Sequence, residues 1–370
     1  MSDEKKIETR NRVLSGMRPT GKLHLGNYMG ALKNWVDLQN AELEDGGPKY
    51  ECFYFVADYH ALTTDYADTS QLRENVREVV LDFLAGGLDP KLSTIFLQSE
   101  VPAHFVLNSL LEMITPLSWL ERVPTYKDQQ EQLKEKDLAT IGFLGYPVLQ
   151  SADILVYQAE FVPVGIDQAA HVEITREIAR RFNHLYGSKR GAAAAKSDKE
   201  RLAELEQEAA VKQVLPEPKV LLTPSPKLPG TDGRKMSKSY GNTILLSDPE
   251  AQVRAKLKTM VTDPARVRRT DPGNPDVCPV FDLHKVFSAE EKQAEVRAGC
   301  TSAGIGCIQC KGWLADAVVE ELAPIQERRR YFEANPDEVD AILDDGAFRA
   351  NGRTQVTMRQ VLSAVGLSRR

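Results

Sequence analysis

Residues 12–27 read RVLSGMRPTGKLHLGN, and this stretch sets the pattern for the first half of the chain. Its first six residues form a short apolar run that predicts a buried strand. A turn, Arg-Pro-Thr-Gly, follows it. HLGN then opens a predicted helix, because apolar residues recur at three- and four-residue steps (Leu25, Met29, Leu32 and Val36). At such a strand–loop–helix junction, free backbone N–H groups and the positive end of the helix dipole favour an anion.

Three further apolar runs predict parallel strands of the same sheet. ECFYFVA (51–57), TIFLQ (94–98) and FVPVG (161–165) are nearly all apolar, as in a sheet covered on both faces. Amphipathic helices are predicted between them and after them, at 70–85 and 171–186. The alternation indicates an α/β fold with a Rossmann-type, doubly wound parallel sheet. Side chains that follow such strands border the ligand crevice.

The second half of the chain carries helical patterns only. They are predicted at 248–261, 288–299, 307–333, 337–349 and 353–366. We therefore assign 12–245 to an α/β domain and 246–370 to an all-helical domain, with residues 1–11 as a flexible tail. Within the first domain, 104–160 is mostly helical, and 188–213 is an exposed insert rich in Ala, Lys and Glu.

Composition limits the class of protein. The chain has 370 residues, 42% hydrophobic and 27% charged, as in an ordinary globular enzyme. No apolar run reaches the length of a membrane span, and the charged start MSDEKKIETRNR lacks a signal-peptide core, so we expect no membrane association and a cytoplasmic location. The net charge of −6 argues against a protein covered in positive charge but leaves room for a local basic face.

A second loop stands out far along the chain. Residues 233–242 read GRKMSKSYGN, with Lys235 and Lys238 three apart and serines at 237 and 239, after a segment rich in proline. Two point charges and two hydroxyl donors on a mobile loop suit a polyphosphate that must be held and then released. A solvated basic turn is the simpler interpretation of such a lysine pair taken alone.

Taken together and in this order, HLGN at 24–27 and KMSKS at 235–239 resemble the two signatures of class I aminoacyl-tRNA synthetases. The likeness extends along almost the whole chain to the tryptophan–tRNA ligase family. It is carried by SGMRPTGKLHLGNYMGALKNWVDLQ, ADYHALT, ERVPTYK, YPVLQSADILVY, VPVG-x-DQ, HVEITREIARRFN and LAPIQERRR. The tail and the 188–213 insert do not match. The resemblance implies ATP-dependent activation of tryptophan, Mg²⁺, transfer to tRNA(Trp) and a homodimer, for which the apolar 104–160 region is the candidate interface.

The resemblance also implies an ATP site. His24 and Asn27 correspond to residues that contact the triphosphate, and Lys235 and Lys238 to those that hold the leaving pyrophosphate with Mg²⁺. Arg18 would lie over the nucleotide. The remaining residues expected at the nucleotide are Met17, Gly26, Gly165, Ile166, Asp167, Met236, Ser237 and Ser239. Relatives usually have an acidic residue where this chain has Ile166.

A tryptophan site is implied as well. Tyr146, Gln150 and Asp153 fall at i, i+4 and i+7, on one face of a helix expected to start near Pro147. A carboxylate in so apolar a segment is costly unless it is bonded. Asp153 matches the family's acceptor for the indole N–H, Tyr146 and Gln168 match groups around the substrate ammonium, and His60 lines the pocket. An aspartate on a helix surface is the plainer alternative.

Four cysteines fall in one C-terminal window. Cys278, Cys300, Cys307 and Cys310 give the spacing Cys-x21-Cys-x6-Cys-x2-Cys, which suits zinc or an iron–sulfur cluster. A subset of tryptophan–tRNA ligases that this chain resembles, including DPARVRR and GC-x5-GC-x2-CK, carries a [4Fe–4S] cluster, which implies a cluster here with zinc as the alternative. Cys52 lies in an apolar strand and is expected in the core.

Basic residues near the first of these cysteines suggest a tRNA contact. Arg266, Arg268 and Arg269 could follow tRNA phosphates, although a solvated helical face explains any one of them equally well. The arginines at 328–330 are expected to be merely exposed. Three rival functions remain open from the residues: a tyrosine-specific synthetase, a nucleotidylyltransferase with an HxGH-like loop, and an RNA-binding paralogue without catalysis.

Overall fold

The computed structural model describes residues 11–123, 138–165, 169–187, 213–222 and 227–368. Residues 1–10, nearly all of the 188–213 insert and the predicted site residues Ile166, Asp167 and Gln168 lie outside this described part. None of the helices in the described residues is long and apolar enough to cross a membrane.

The described residues contain a parallel sheet of five strands in the order β3-β2-β1-β4-β5. The strands are β1 (Asn11–Met17), β2 (Tyr50–Val56), β3 (Ser93–Leu97), β4 (Phe161–Val164) and β5 (Lys219–Leu222). The register places Val13 beside Cys52 and Cys52 beside Ser93. The predicted doubly wound α/β class is confirmed. The edge strand β5 was not predicted, because it is short and lies among prolines.

Helices cover the sheet in the first half of the chain. They are α1 (Leu25–Asn27), α2 (Lys33–Gln39), α3 (Asp58–Asp65), α4 (Leu72–Ala85), α5 (Ala103–Glu112), α6 (Leu117–Leu120), α7 (Ile141–Val156) and α8 (Ala169–Tyr186). A π-helical turn, Tyr28–Leu32, joins α1 to α2. Helix α7 begins six residues before Pro147 rather than at it, because the Thr140 side chain caps its first turn by accepting from the Phe143 N–H at 3.1 Å.

The C-terminal half is helical, as predicted. Its helices are α9 (Glu250–Thr259), α10 (Pro279–Phe287), α11 (Glu290–Thr301), α12 (Cys307–Ala334) and α13 (Pro336–Ala364). Helix α10 was missed by the sequence patterns. Two predicted helices, at 337–349 and 353–366, are one continuous helix, because Ala350, Met358 and Val361 bury one face of α13 and offset the weak helix propensity of Gly352.

Two hydrophobic cores lie on opposite faces of the sheet. Neighbouring residues alternate between them, with Val13 in one core and Leu14 in the other. The first core continues from α4 into the C-terminal helices, where Val253, Leu314 and Leu322 are buried in it. The predicted boundary at residue 245 therefore crosses a continuous apolar core.

Candidate active site

The HLGN loop starts α1 with a reciprocal cap. The His24 Nδ1 accepts from the Asn27 N–H at 3.3 Å, and the Asn27 Oδ1 accepts from the His24 N–H at 3.1 Å. This arrangement satisfies two N–H groups that a helix start leaves without partners inside the helix. A Cβ atom on Gly26 would lie 2.9 Å from the His24 ring, so glycine is required beside the histidine.

The lysine loop is held in shape by Asn242. This buried amide accepts from the Ser237 N–H at 2.8 Å and donates to the Lys235 carbonyl at 3.2 Å and the Asp232 carboxylate at 2.7 Å. The Ser237 and Ser239 hydroxyls lie 2.8 Å apart. This role of Asn242 was not predicted from the sequence. Its position, closing a glycine-rich turn, was the available signal.

The structure brings the two signature loops together. The Leu25 N–H donates to the Ile244 carbonyl at 2.9 Å, and the Leu246 N–H donates to the Leu23 carbonyl at 3.0 Å. The Lys238 Nζ donates to the carbonyls of Thr20 at 2.9 Å and Gly21 at 2.8 Å. Two segments more than two hundred residues apart in the chain therefore form one site.

Charge and burial set the protonation of this site. Burial, with further contributions from Lys238 and Lys235, lowers the pKa of His24 to about 4, so its imidazole is neutral at pH 7. Burial lowers the pKa of Lys238 to about 8. Most of the Lys238 population still carries its positive charge at pH 7. The site thus presents a neutral donor and a cation side by side, which suits binding of a phosphate chain.

A cavity of about 300 Å³ opens at the carboxyl ends of the central strands. Its lining joins β1, β2, α3, α7, β4 and α8 and includes Gly16, Arg18, His60, Tyr146, Gln150, Asp153, Val164 and His171. A Cβ atom on Gly16 would lie 2.6 Å from the Phe55 ring. The location agrees with the rule that doubly wound sheets bind ligands at this edge.

Asp153 is the buried polar centre of this cavity. Its Oδ2 lies 2.9 Å from the His60 Nε2, and its Oδ1 accepts from the Gln98 Nε2 at 2.8 Å and lies 2.6 Å from the His104 Nδ1. Burial alone would raise the pKa of Asp153, but the hydrogen bonds from His104 and His60 lower it to about 2. The carboxylate is therefore ionised at pH 7.

The His104 ring links Asp153 to Tyr157. With Asp153 ionised, the Nδ1 of His104 carries a proton, and its Nε2, 2.9 Å from the Tyr157 hydroxyl, is free to accept. Burial raises the pKa of Tyr157 far above its usual value, so the hydroxyl remains a donor. Gln98, His104 and Tyr157 were not predicted as site residues from the sequence. Gln98 directly follows β3, and the rule on strand ends could have identified it.

Two further predicted tryptophan-site residues, Tyr146 and Gln150, line the same cavity. The Tyr146 hydroxyl is 3.3 Å from the His171 Nε2, and the His171 Nδ1 is 2.8 Å from the Gln150 Oε1. Tyr146, Gln150 and Asp153 share one face of α7, as their spacing predicted.

The residues predicted to bind the nucleotide lie in different parts of the site. Arg18 lines the cavity and binds Thr64 and Asp65, with 3.1 Å to the Asp65 carboxylate. Met17 ends β1 and Gly165 follows β4, at the same sheet edge. Met236 is buried next to Gly26: a Cβ atom added to Gly26 would lie 3.7 Å from the Cβ of Met236.

The four cysteines lie close together at the ends of three helices. Cys278 precedes α10, Cys300 lies near the end of α11, and Cys307 and Cys310 lie in the first turn of α12. Burial, reinforced by the proximity of the other three thiols, raises the pKa of Cys310 to about 12. Within the described part of the chain, no group of three or more His, Cys, Asp or Glu side chains has the geometry of a metal site.

Polar groups point at two of these thiols. The Arg266 Nη1 lies 3.7 Å from the Cys300 Sγ, and the Nη2 donates to the Ile305 carbonyl at 2.7 Å. The His284 Nε2 lies 3.4 Å from the Cys310 Sγ. Arg268 and Arg269 are exposed, whereas Arg266 is half-buried and directed inward.

Comparisons with known proteins show the family to which the chain belongs. A family model described as "tRNA synthetases class I (W and Y)" matches residues 5–323. The Tryptophan–tRNA ligase of Ralstonia nicotianae is 50% identical over 402 residues, covering 96% of this chain and 98% of the relative. That of Thermotoga maritima is 50% identical over 357 residues, covering 96% and 99%.

Solved structures give the same result. The tryptophanyl-tRNA synthetase of Campylobacter jejuni, complexed with ADP and tryptophan, has a TM-score of 0.79 at 33% identity, covering 96% of this chain and all of that one. The tyrosyl-tRNA synthetase of Archaeoglobus fulgidus, at 22% identity and a TM-score of 0.59, shares the fold.

The parallel sheet, the paired signature loops and these matches define a class I aminoacyl-tRNA synthetase. Within that class, the chain belongs to the family of the tryptophan and tyrosine synthetases, and its relatives at 50% identity over nearly the whole chain are tryptophan–tRNA ligases.

Proposed function

We propose that this protein activates L-tryptophan with ATP and transfers it to the 3′ end of tRNA(Trp) for protein synthesis. In the first step a carboxylate oxygen of tryptophan attacks the α-phosphorus of ATP, and pyrophosphate leaves. In the second step the terminal ribose hydroxyl of the tRNA attacks the tryptophanyl carbonyl, and AMP leaves. The meeting of the HLGN and lysine loops beside a cavity with a buried carboxylate carries this proposal.

We assign the phosphate chemistry to the two loops. His24 and Asn27 would contact the triphosphate, with the neutral imidazole donating a hydrogen bond. Lys235 and Lys238 would stabilise the charge on the departing pyrophosphate, together with Mg²⁺. Catalysis of phosphoryl transfer rests mainly on positioning and charge stabilisation, and these groups supply both. Lys238 would exchange its present partners, the Thr20 and Gly21 carbonyls, for phosphate oxygens.

Nucleotide contacts would continue along the sheet edge. We place the base and ribose near Met17, Arg18 and Gly165, with Gly26 allowing close approach. Met236, Ser237 and Ser239 would complete the closing loop. We also propose Ile166 and Asp167 as nucleotide contacts, because the family resemblance implies them.

We assign recognition of the indole ring to Asp153. Both lone pairs of its Oδ1 are engaged by Gln98 and His104, whereas Oδ2 has a single partner, His60. That leaves Oδ2 an acceptor position for one N–H donor. Tyr146, Gln150 and Gln168 would surround the substrate ammonium. A site with a buried acceptor can discriminate against ligands that lack the donor by about 10⁴-fold or more. This is far above the discrimination that an apolar pocket achieves.

Amino-acid-dependent pyrophosphate exchange tests this function directly. We expect exchange with tryptophan and essentially none with tyrosine or phenylalanine. Asp153→Ala and the isosteric Asp153→Asn should lose tryptophan activation while binding ATP normally. Exchange with tyrosine would favour the tyrosine-specific synthetase. Absence of any amino-acid-dependent exchange would favour a nucleotidylyltransferase or, if tRNA still binds, a non-catalytic paralogue. Unchanged exchange in Asp153→Ala would refute the role of that residue.

We further propose a [4Fe–4S] cluster at Cys278, Cys300, Cys307 and Cys310, with zinc as the alternative. Support comes from the proximity of the four thiols, from the Arg266 N–H group near the Cys300 sulfur and from the His284 ring nitrogen near the Cys310 sulfur. Such donors suit thiolate ligands. The group would serve as a structural cross-link between α10, α11 and α12. Metal analysis of anaerobically purified protein, with a visible spectrum near 400 nm, distinguishes iron from stoichiometric zinc; absence of both refutes the site.

The tRNA would approach the helical face beside this site. Exposed Arg268 and Arg269 are free to contact phosphates, while Arg266 would act by shaping the loop that carries them. Arg268→Ala and Arg269→Ala should each weaken tRNA binding and reduce its salt dependence, with tryptophan-dependent exchange unchanged.

We propose a homodimer that uses the 104–160 region, in the cytoplasm. This region exposes several large apolar side chains, among them Phe105, Met113, Leu117 and Ile141, the last of which is 85% exposed. Sedimentation analysis should show a dimer for the wild type. The double variant that combines Met113→Asp with Ile141→Asp should be a monomer. A monomeric wild type would refute the assignment.

A further inference from the structure

Arg329, in the C-terminal half of α12, is buried instead of exposed as its sequence context suggested. It is 3% exposed, whereas its neighbours Arg328 and Arg330 lie on the surface. Its guanidinium binds Asp82 and Glu78 of α4, and its Nε donates to Glu333 at 2.8 Å. The prediction that all three arginines are merely exposed is wrong for Arg329, because α12 packs on α4 with this side facing inward.

Asp82 connects this ion pair to the HLGN loop. It is fully buried, and its Oδ2 accepts from the Leu23 N–H at 2.6 Å while its Oδ1 binds Arg329. The Leu23 carbonyl accepts from the Leu246 N–H at 3.0 Å. Both backbone polar groups of Leu23 are thereby fixed. Because His24 is the next residue, the position of Asp82 sets where the signature histidine stands.

The same helix also holds the segment that follows the lysine loop. The Gln326 Nε2 donates to the Leu246 carbonyl at 3.2 Å and the Asp248 carbonyl at 2.9 Å. One turn earlier on α12, Glu321 accepts from the Tyr28 hydroxyl at 2.9 Å. Three residues of α12, Glu321, Gln326 and Arg329, therefore contact the elements that flank the two loops.

The contact between Arg329 and Asp82 also affects the charge of the nucleotide site. Burial disfavours ionisation of Asp82 and raises its pKa, and Arg329 opposes that effect. The negative charge of Asp82 also acts on Lys238, where it partly offsets the lowering of the lysine pKa by burial. Without Arg329, Asp82 would either take up a proton or stand as an uncompensated negative charge close to where a phosphate chain binds.

We propose that Arg329 and Asp82 are positioning residues for the nucleotide site: they hold Leu23, and through it the HLGN loop, in register for ATP. The proposal rests on the function proposed above. It gives the helical C-terminal part of the chain a direct role in the activation step, which requires no tRNA. Neither residue contacts the substrate cavity, so both act through the loop.

Steady-state pyrophosphate exchange and equilibrium tryptophan binding without ATP test the proposal. We expect Arg329→Met and Asp82→Ala to raise the KM for ATP about tenfold to a hundredfold, the loss typical of a charged hydrogen bond. Asp82→Asn should lose less, because its amide oxygen still accepts from Leu23. The tryptophan Kd should stay within about twofold, since the Asp153 cavity is untouched. Arg330→Met, an exposed neighbour on the same helix, is the matched control and should behave as wild type.

Two outcomes would overturn the proposal. One is an unchanged KM for ATP in folded Arg329→Met. The other is a proportional loss of ATP and tryptophan binding that follows the loss of folding stability, which would indicate a purely structural ion pair. Arg329→Lys, which keeps the charge, covers the case in which the methionine variant fails to fold and should show a smaller rise in KM. Failure of the proposed function itself would appear separately, as wild-type protein without tryptophan-dependent exchange.

Discussion

The side chains that matter most here are buried polar groups whose neighbours fix their protonation. Asp153 stays ionised because two histidines and a glutamine bond it, although burial opposes the charge. His24 stays neutral because burial and two lysines oppose its protonation. In both cases the chemistry of the site depends on partners distant in the chain.

Replacing His104 by phenylalanine should selectively weaken tryptophan use. The ring packs among Phe55, Phe96 and Tyr157, so phenylalanine keeps the shape but removes one donor to Asp153 and the acceptor for Tyr157. We expect the KM for tryptophan to rise about tenfold or more, with the KM for ATP unchanged. The pKa of Asp153 should rise from about 2, so kcat/KM for tryptophan should begin to fall at a higher pH than in wild type.

The exposed His184 on α8 supplies the control for this measurement. His184→Phe makes the same chemical change away from the cavity and should leave both KM values and the pH profile unaltered. The groups that contact the Asp153 carboxylate are His60 of α3, Gln98 and His104 of α5, and Tyr157 contacts the far side of the His104 ring. Equal KM values for tryptophan in His104→Phe and wild type would contradict the prediction.

His24 should make folding stability depend on pH. Its pKa is about 6.5 in the unfolded chain and about 4 in the fold. The unfolded state therefore takes up the proton first, so the stabilisation is fully present above pH 6.5 and is lost as pH falls toward 4. Between pH 7 and pH 5 the loss amounts to about 2 kcal/mol. Urea unfolding at the two pH values measures it.

His24→Asn isolates this contribution, since asparagine is a good N-cap residue but does not titrate. We expect the difference in the free energy of unfolding between pH 7 and pH 5 to shrink by about the same amount in this variant. An unchanged difference would mean that the imidazole is not protonated preferentially in the unfolded chain.

At the scale of elements, helix α13 shows how close packing overrides local preference. It lies across the edge strand β3, and a Cβ atom on Gly346 would stand 1.7 Å from the Ile95 carbonyl oxygen. Arg349 of the same helix donates to the Pro90 and Ser93 carbonyls at 2.7 and 3.1 Å. The helix thus covers a sheet edge that would otherwise be open to pairing with another chain.

Two glycines of α13 should respond in opposite directions to alanine. Gly346→Ala must push the helix off the strand, and we expect it to cost about 3 kcal/mol or more. Gly352→Ala, six residues on in the same helix, meets no atom within 4 Å and should stabilise the protein by about 1 kcal/mol through helix propensity. Chemical unfolding of both variants decides the point; two effects of the same sign would show that α13 does not pack on β3 in solution.

At the scale of the whole molecule, the two assigned domains share one core. Residues of α4, α9, α10 and α12 are buried in the same apolar cluster as Val13 and Tyr54 of the sheet. The long α12 begins at two of the four cysteines and ends at the Arg329 contact with Asp82. A helix of this length spans roughly 40 Å, so one continuous helix connects the cysteine site with the nucleotide loops.

A fragment ending at residue 245 should therefore not fold as an independent domain. Its α4 and β3 would expose the surfaces that α12 and α13 bury. We expect loss of near-ultraviolet circular dichroism and of cooperative unfolding, with the full chain as the control. A monomeric fragment that unfolds cooperatively and retains tryptophan binding would contradict the shared core.

The sequence by itself determined the α/β class, four of the five described strands, the order of the two signature loops and the shared face of Tyr146, Gln150 and Asp153. These follow from local periodicity and from motifs that lie within single segments. Only the tertiary structure decided which distant groups meet: Gln98 and His104 with Asp153, Lys238 with the Thr20–Gly21 turn, and Arg329 with Asp82. Spacing along a chain reports which face a residue occupies, but not which partner compensates its charge, because that partner comes from another element brought near by packing of the core.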